Sequence, residues 1–219
     1  MATADLKKIK IGFIHNAFPV LSETFISKEM RGLKALGMDL EVYSLFHPKQ
    51  GRLDANYPDV SDVHYAFDSL KLWTIFFSHL YFLIASPARY FSTFIFALRY
   101  RQTKQCVLKT LIDFARKKDA DKEQRQDILV HFFLATPLAR MMKADKISFI
   151  NSHFADAAAS FALLSAKLLG LRFGVTAHAY DIFTPQFNLS EKISQAKFLL
   201  TCTHYNHKSL IEQHLDIDG

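Results

Sequence analysis

Two strand-like runs separated by one helix-length segment set the first constraint on this chain. Lys8 to His15 reads KIKIGFIH and Leu40 to Phe46 reads LEVYSLF, both rich in β-formers. Between them Phe25, Ile26, Met30, Leu33 and Leu36 recur at three- and four-residue steps, the period of a helix with one buried face. Ser22 is the expected N-cap, Glu23 sets a negative charge in the first turn, and Leu21 with Ile26 has the spacing of a hydrophobic staple. Gly37 is the expected stop. A strand, helix, strand unit of this length is a right-handed crossover, and it predicts parallel strands buried on both faces. Val63 to Phe67 is a candidate third, shorter strand.

The rhythm then stops and returns. Ser69 to Lys143 holds no strand-like run and reads as three or four helices, with a break at Ser86-Pro87 and a polar joint at Lys117 to Gln126. Alternation resumes with strand Ile147 to Asn151, helix Asp156 to Leu169 closed by Gly170, and strand Phe173 to Ala177. A helix near Ser190 to Gln195, strand Phe198 to Cys202 and a helix from Tyr205 follow, and Asp216 to Gly219 reads as a loop. The expected architecture is α/β: a Rossmann-like parallel sheet with helices on both faces and a helical insertion over residues 69–143. With 219 residues, half of them apolar and only seven glycines, one domain is the expected count.

Cys106 and Cys202 lie far apart, each in an apolar stretch, which suits buried thiols in a reducing compartment better than a disulfide framework. Met1 to Lys10 is polar and lacks the long apolar run of a signal peptide, so a cytoplasmic location is expected. The formal charge of +6 is concentrated: Arg99 to Arg125 holds nine Lys or Arg against four Asp or Glu, leaving +1 for the rest of the chain. Such a patch suits nucleic acid, an anionic membrane surface or a phosphorylated substrate. No RNP-type aromatic motif or helix-turn-helix pattern accompanies it, so no nucleic-acid partner is expected.

Just before the basic stretch, Leu72 to Ala88 carries no formal charge, and Ser78, His79 and Ser86 interrupt its apolar character. Its seventeen residues fall short of the about 20 that span a hydrocarbon core. The helix pair Leu72 to Ala85 and Arg89 to Tyr100 sets Trp73, Phe76, Phe77 and Tyr81 beside Arg99, Arg101 and Lys104. That is the composition of helices lying in a membrane interface, with those side chains facing the lipid. The same aromatics equally fit a core packed on the sheet, with the basic helix as a solvated face, and the sequence leaves both readings open.

In open α/β sheets ligands bind beyond the carboxyl ends of the strands. Four histidines fall there: His15 closing the first strand, His153 just past the Ile147 strand, His178 after the Phe173 strand and His204 after the Phe198 strand. A rim of imidazoles suits binding hydroxyls and phosphates or moving protons, although ten histidines in the chain also allow coincidence. No H-x-x-x-H or C-x-x-C spacing supports zinc, and His204 to His207 reads more easily as a helix start, so no metal site is expected. The first strand is not followed by a G-x-G-x-x-G or Walker loop, which argues against a dinucleotide oxidoreductase or a P-loop enzyme, and no cofactor is expected. The N–H groups near Ser22, Glu23 and Thr24 could hold an anion at the start of the first helix, and plain capping explains Ser22 equally well.

The segment FPVLSETFI from Phe18 to Ile26, followed by Glu29, Leu33 and Gly37, resembles the opening of group 4 glycosyltransferases of the colanic acid and exopolysaccharide type. Asn151 to Ala155 (NSHFA), Thr176 to Phe183 (TAHAYDIF), Ala196-Lys197-Phe198 and Tyr205-Asn206 resemble the same family's N-terminal domain in order and spacing. The resemblance implies the acceptor-side half of a bacterial GT-B enzyme, a retaining transferase moving a sugar from a nucleotide-sugar donor to a lipid-linked or saccharide acceptor in surface polysaccharide synthesis. It implies that His178 reaches a hydroxyl of the transferred sugar, that Asp181 orients its loop, and that Ser22, Glu23 and Thr24 face the donor phosphates or the acceptor. Members often carry glycines after the first strand, whereas Asn16 to Leu21 has none. The donor-binding half, with its basic phosphate contacts and paired glutamates, is expected to be missing from this chain, which alone would transfer nothing. The alternative from another class is a stand-alone module at the membrane surface that binds a phosphosugar or polyprenyl phosphate without turnover.

Overall fold

The computed structural model describes residues 9–48, 63–68, 70–104, 106–115, 127–184 and 186–214. The opening crossover forms as expected. β1 (Lys10–Ala17) pairs in parallel with β2 (Asp39–Phe46), Phe13 opposite Val42 and His15 opposite Ser44. Between them one 3-10 turn, Leu21–Glu23, leads into α1 (Thr24–Ala35), and Gly37 follows at φ 84°. β3 (Val63–Tyr65) pairs with the outer side of β2. Four helices make up the described insertion: α2 (Leu72–Ala85), α3 (Pro87–Arg99), α4 (Val107–Ala115) and α5 (Ile128–Ala144). β4 (Phe149–His153) then returns to the free side of β1. α6 (Ala157–Leu169), β5 (Arg172–Ala177), α7 (Ala179–Phe183), α8 (Leu189–Gln195), β6 (Leu199–Thr201) and α9 (His204–His214) complete the described chain.

The sheet runs β3-β2-β1-β4-β5-β6, all parallel. Its strand order reverses between β1 and β4, and such a switch point opens a crevice at the carboxyl ends of those two strands. The period of two along β1 divides the core. Ile11 and Phe13 join Ile26 and Met30 of α1 on one face, while Ile14 joins Tyr43, Leu45 and Ile150 beneath α5 and α6 on the other. α5 is buried on nearly every side, so it reads as hydrophobic all round and not as a stripe. Its first turn is held by Asp127, which accepts from the Leu129 and Val130 N–H groups at 2.8 and 3.4 Å. α6 ends at Gly170, whose φ of 69° is costly for any residue with a Cβ. A Cβ there would also lie 2.4 Å from the guanidinium carbon of Arg89 on α3.

Several local expectations are corrected. β1 continues two residues past His15, and β4 starts two residues later than predicted and takes His153 in as its last residue. Ser22 does not cap α1: it sits in the 3-10 turn, and Glu23 occupies the N-cap without a side-chain hydrogen bond. The staple does not form either, because Phe18 takes the place meant for Leu21. Phe18 is fully buried in the same cluster as Ile26, whereas Leu21 is exposed, as are Phe25 and Leu36. Cys106 and Cys202 are both exposed, contrary to the buried thiols expected. Cys106 precedes α4 and Cys202 follows the three-residue edge strand β6. The short α7 had no counterpart in the sequence reading. The polar joint at Lys117 to Gln126, the tail Asp216 to Gly219, and Ser69 lie outside the described residues.

Candidate functional site

Three neighbouring strands, β1, β4 and β5, deliver a histidine each to their carboxyl ends. His15 lies opposite Ser44, His153 opposite Thr176, and His178 follows the last residue of β5. The rings form one row: His15 stacks on His153 at 5.4 Å between centroids, and His153 on His178 at 6.0 Å, with interplanar angles of 17° and 20°. Phenylalanines close the row. Phe13 lies 5.8 Å from His153, Phe18 lies 4.8 Å from His15, and Phe154 and Phe25 lie 4.7 and 4.9 Å from His178.

This packing bears on the protonation of His15 and His178. Burial, and then the neighbouring His153, drive the His15 ring well below its ordinary range, and the same two causes lower His178 against a pull from Glu29. Neutral imidazoles carry one N–H and one bare nitrogen each, so they can donate to one oxygen and accept from another. Both nitrogens of His15 and the Nε2 of His178 are buried without a hydrogen-bond partner among the described residues. Buried polar atoms of that kind are uncommon, and they concentrate where a ligand or water completes the site. Glu29 of α1 brings a carboxylate oxygen to 3.6 Å from His153 Nε2, and the imidazole holds Glu29 below the usual carboxylate range.

His178 is set by its own loop. Asp181, fully buried, accepts the His178 backbone N–H at 3.0 Å, and its own N–H donates to the His178 carbonyl at 3.0 Å. This closed turn forms α7 and fixes where the half-buried imidazole points, with Nδ1 3.5 Å from Cys202 Sγ. Burial pushes the Asp181 carboxyl up, and the His178 N–H works against that shift. Phe154, packed on His178, has φ 70°, a left-handed conformation that costs a bulky residue of order 1–3 kcal/mol and tends to occur at working sites.

The other expected site residues divide. Glu23 is half-buried and near the row: burial raises its carboxyl while His153 pulls it back. Ser22 and Thr24 are exposed, and His204 is exposed at the start of α9, outside the row. Among the described residues no group of three or more His, Cys, Asp or Glu is arranged to hold a metal ion.

A second polar cluster, absent from the sequence reading, lies beside the row. Lys192 of α8 is 1% exposed, and its Nζ donates to the carbonyls of Ala155 and Asp156, both at 2.8 Å. Asp156 caps α6 through the Ala158 N–H at 3.0 Å and accepts from Asn16 Nδ2. Burial pushes Lys192 down and Asp156 up. A lysine in the short segment LSEKISQ carries no sequence mark of burial, whereas the place of Asp156 at the start of a helix just past a strand end is a signal that could have found it. Asn16, Asp156 and Lys192 border a cavity of about 300 Å³.

The membrane-facing set also divides. Trp73, Phe76 and Phe77 of α2 are 60%, 63% and 49% exposed, and Ile84, Phe91 and Ile95 extend the apolar face across α2 and α3. Tyr81 is corrected: it is partly buried against the core, with Arg140 and Lys143 over its ring at 5.5 and 5.1 Å. Arg101 is corrected as well, because its Nε donates to buried Asp127 at 3.0 Å and holds the start of α5. Arg99 and Lys104 are exposed as expected, and Arg116 to Arg125 lie outside the described residues. No helix among the described residues is long and apolar enough to cross a membrane.

No protein-family model matches the chain, and no curated protein matches it.

Proposed function

We infer that this chain is the acceptor-side half of a retaining glycosyltransferase of the group 4 kind, acting in surface polysaccharide synthesis at the cytoplasmic face of the membrane. One observation carries the reading. The segments that resemble that family, around His153 and from Thr176 to Phe183, meet at the switch point of a parallel sheet, where His178 is held by Asp181 and backed by a row of stacked rings.

In this reading His178 is the group that meets the sugar. Its buried, unpartnered Nε2 offers one hydrogen bond to a hydroxyl beside the reacting carbon. Asp181 is a positioning residue: it holds the loop and does not reach the sugar. Glu29 and His153 support the imidazole from behind, and Glu23 faces the crevice where donor phosphates or acceptor would enter. The nucleotide would be held by the second Rossmann-like half of such an enzyme. The exposed aromatic face of α2 and α3, flanked by Arg99 and Lys104, would lie on an anionic membrane surface where a lipid-linked acceptor is met.

The test is transfer of labelled sugar from nucleotide-sugar donors to lipid-linked and saccharide acceptors by the protein that carries this chain together with a donor half. His178→Ala is expected to lower turnover roughly 100- to 10,000-fold with the fold intact. Near-normal turnover in that variant would remove His178 from the mechanism. Binding of phosphosugar with no transfer from any donor would favour a module without turnover.

A further inference from the structure

The cavity beside the imidazole row lies on the α5–α6 side of the sheet, and none of His15, His153 or His178 lines it. Its volume of about 300 Å³ sits at the lower end of the range that holds a small-molecule ligand, roughly 300 to 1,000 Å³, with room for one ring and not for an extended chain of sugars. Phe161, Phe67 and Tyr180 give it aromatic walls. Asn16, Ser160, Gln186 and the imidazole of His131, 4.8 Å from the Phe161 ring, add polar groups.

Two of those groups are incomplete. Ser160, in the first turns of α6, is fully buried and lines the cavity, yet its hydroxyl has no hydrogen-bond partner among the described residues. The amide oxygen of Asn16 is in the same state, while its Nδ2 is committed to Asp156. A buried hydroxyl or carbonyl left unpaired costs about 1–3 kcal/mol, which a ligand hydroxyl in the cavity would recover.

The charge of the cavity decides the ligand class. Among the described lining residues only Asp156 and Lys192 carry a formal charge, and they offset each other. Lys192 is the obvious candidate for an anion receptor, but its ammonium is turned to the carbonyls of Ala155 and Asp156 at 2.8 Å and faces the carboxylates of Asp156 and Asp181. A carboxylate or phosphate entering here would meet Asp156 while the one lysine among the described lining residues is already committed, and an uncompensated buried charge is strongly unfavourable. An alkyl chain would leave Ser160 and Asn16 unpaired.

We propose that this cavity takes a single neutral, hydroxyl-bearing ring, the end sugar of the acceptor, and rejects acidic and phosphorylated sugars. The word acceptor rests on the reading given above; the ring chemistry and the charge selection rest on the cavity alone.

Saturation-transfer NMR on this chain tests it, with methyl β-glucoside and methyl β-galactoside as neutral probes and glucuronate and glucose 1-phosphate as charged ones. The expected result is saturation of at least one neutral glycoside, with the charged probes at least about tenfold weaker. Ser160→Val removes the hydroxyl and narrows the cavity, and Tyr180→Ala removes an exposed ring without touching the core. Both are expected to weaken the neutral glycoside at least severalfold, and the second keeps the test open if the first fails to fold. Equal or stronger binding of the charged probes, no binding of any glycoside, or binding unchanged in Tyr180→Ala and in folded Ser160→Val would each overturn the proposal. Neutral binding in a protein that transfers no sugar would sink the transferase reading and leave the cavity's ligand standing. Transfer without neutral binding would do the reverse.

Discussion

Two regions of this molecule are built largely from aromatic side chains, and the chain treats them in opposite ways. At the rim, Phe13, Phe18, His15 and His153 are almost wholly buried and stacked, and the imidazoles among them keep polar atoms without partners. On the outer face of α2 and α3, Trp73, Phe76, Phe77 and Phe91 are at least half exposed or close to it, with Trp73, Phe76 and Phe77 touching one another and Lys71 over the Trp73 ring. The rim accepts unpaired polar atoms in a rigid setting, which is the arrangement of a site awaiting hydrogen bonds. The outer face accepts exposed apolar area, the kind of surface on which proteins meet apolar partners. Residue type alone does not separate the two. What separates them is whether a polar atom or a ring face has been left unsatisfied.

The largest expected effect sits on the inner side of α2, where His79 is partly buried and bonded to the Tyr90 hydroxyl and the Phe133 carbonyl, on the same helix whose outer rings are exposed. Burial pushes its imidazole down to about 4. A histidine that is lowered on folding stabilises the fold fully above its unfolded value of 6.5, and that contribution is lost as pH falls from 6.5 toward 4. The loss is roughly 3 kcal/mol over that window. Asp156 and Asp181, raised by burial, run in the opposite direction over acid pH. The difference between wild type and His79→Gln is therefore the quantity to follow. In denaturant titrations the variant should be the less stable at pH 7, and the gap should close by roughly 3 kcal/mol at pH 4; a gap that stays constant would mean His79 is not buried as described.

Next comes the hinge of the rim. Asp181→Ala removes the acceptor of the His178 N–H and should cost about 1 to 2 kcal/mol in unfolding free energy. In a transferring protein it should lower turnover as well, with Asp181→Asn restoring part of both because an amide oxygen still accepts. Loss of stability with full turnover would show that the turn is structural only. On the outer face the pattern should invert. Trp73→Ala combined with Phe76→Ser is expected to weaken co-sedimentation with anionic liposomes at least about tenfold while shifting stability by no more than about 0.5 kcal/mol. Salt should weaken the wild-type binding too, through Arg99 and Lys104. Absence of liposome binding in the wild type would remove the membrane from the reading. A large stability loss in the double variant would return these rings to the core.

The smallest effect tests the junction of the two regions, where α3 meets the end of α6. Gly170→Ala forces a Cβ into a left-handed residue and against Arg89, and should cost about 1 kcal/mol in a thermal or chemical melt. Arg89→Ala should lower that cost if the guanidinium, not the backbone, is the obstacle.

Much of the fold was legible because its signals are local. Gly37 and Gly170 stop helices where a left-handed residue is needed, Asp156 precedes an apolar helix as a cap should, and the strand-like runs that flank α1 pair in parallel. Strand ends were less legible, since backbone pairing to a neighbour, and not composition, decides where β1 and β4 stop. That two-residue shift matters: it moved His153 from the loop into the strand and brought it between His15 and His178. Ser22 falls outside the N-cap for a similar reason. Capping chemistry is a local preference, and burial of Phe18 against Ile26 overrode it by fixing how the chain enters α1.

By itself, the sequence determined the α/β alternation, the helical insertion, and the placing of His15, His153 and His178 near strand ends, because hydrophobic period and helix stops act over a few residues. Only the tertiary structure decided that those three rings form one row, that His204 lies outside it, that Lys192 is buried with its ammonium turned to the Ala155 and Asp156 carbonyls, and that Arg101 supports α5 and does not face a membrane. Each of those outcomes depends on groups far apart along the chain. Ring stacking, burial of charge and ion pairing fall off within a few ångströms, so they are set by the packing of elements and not by the residues on either side.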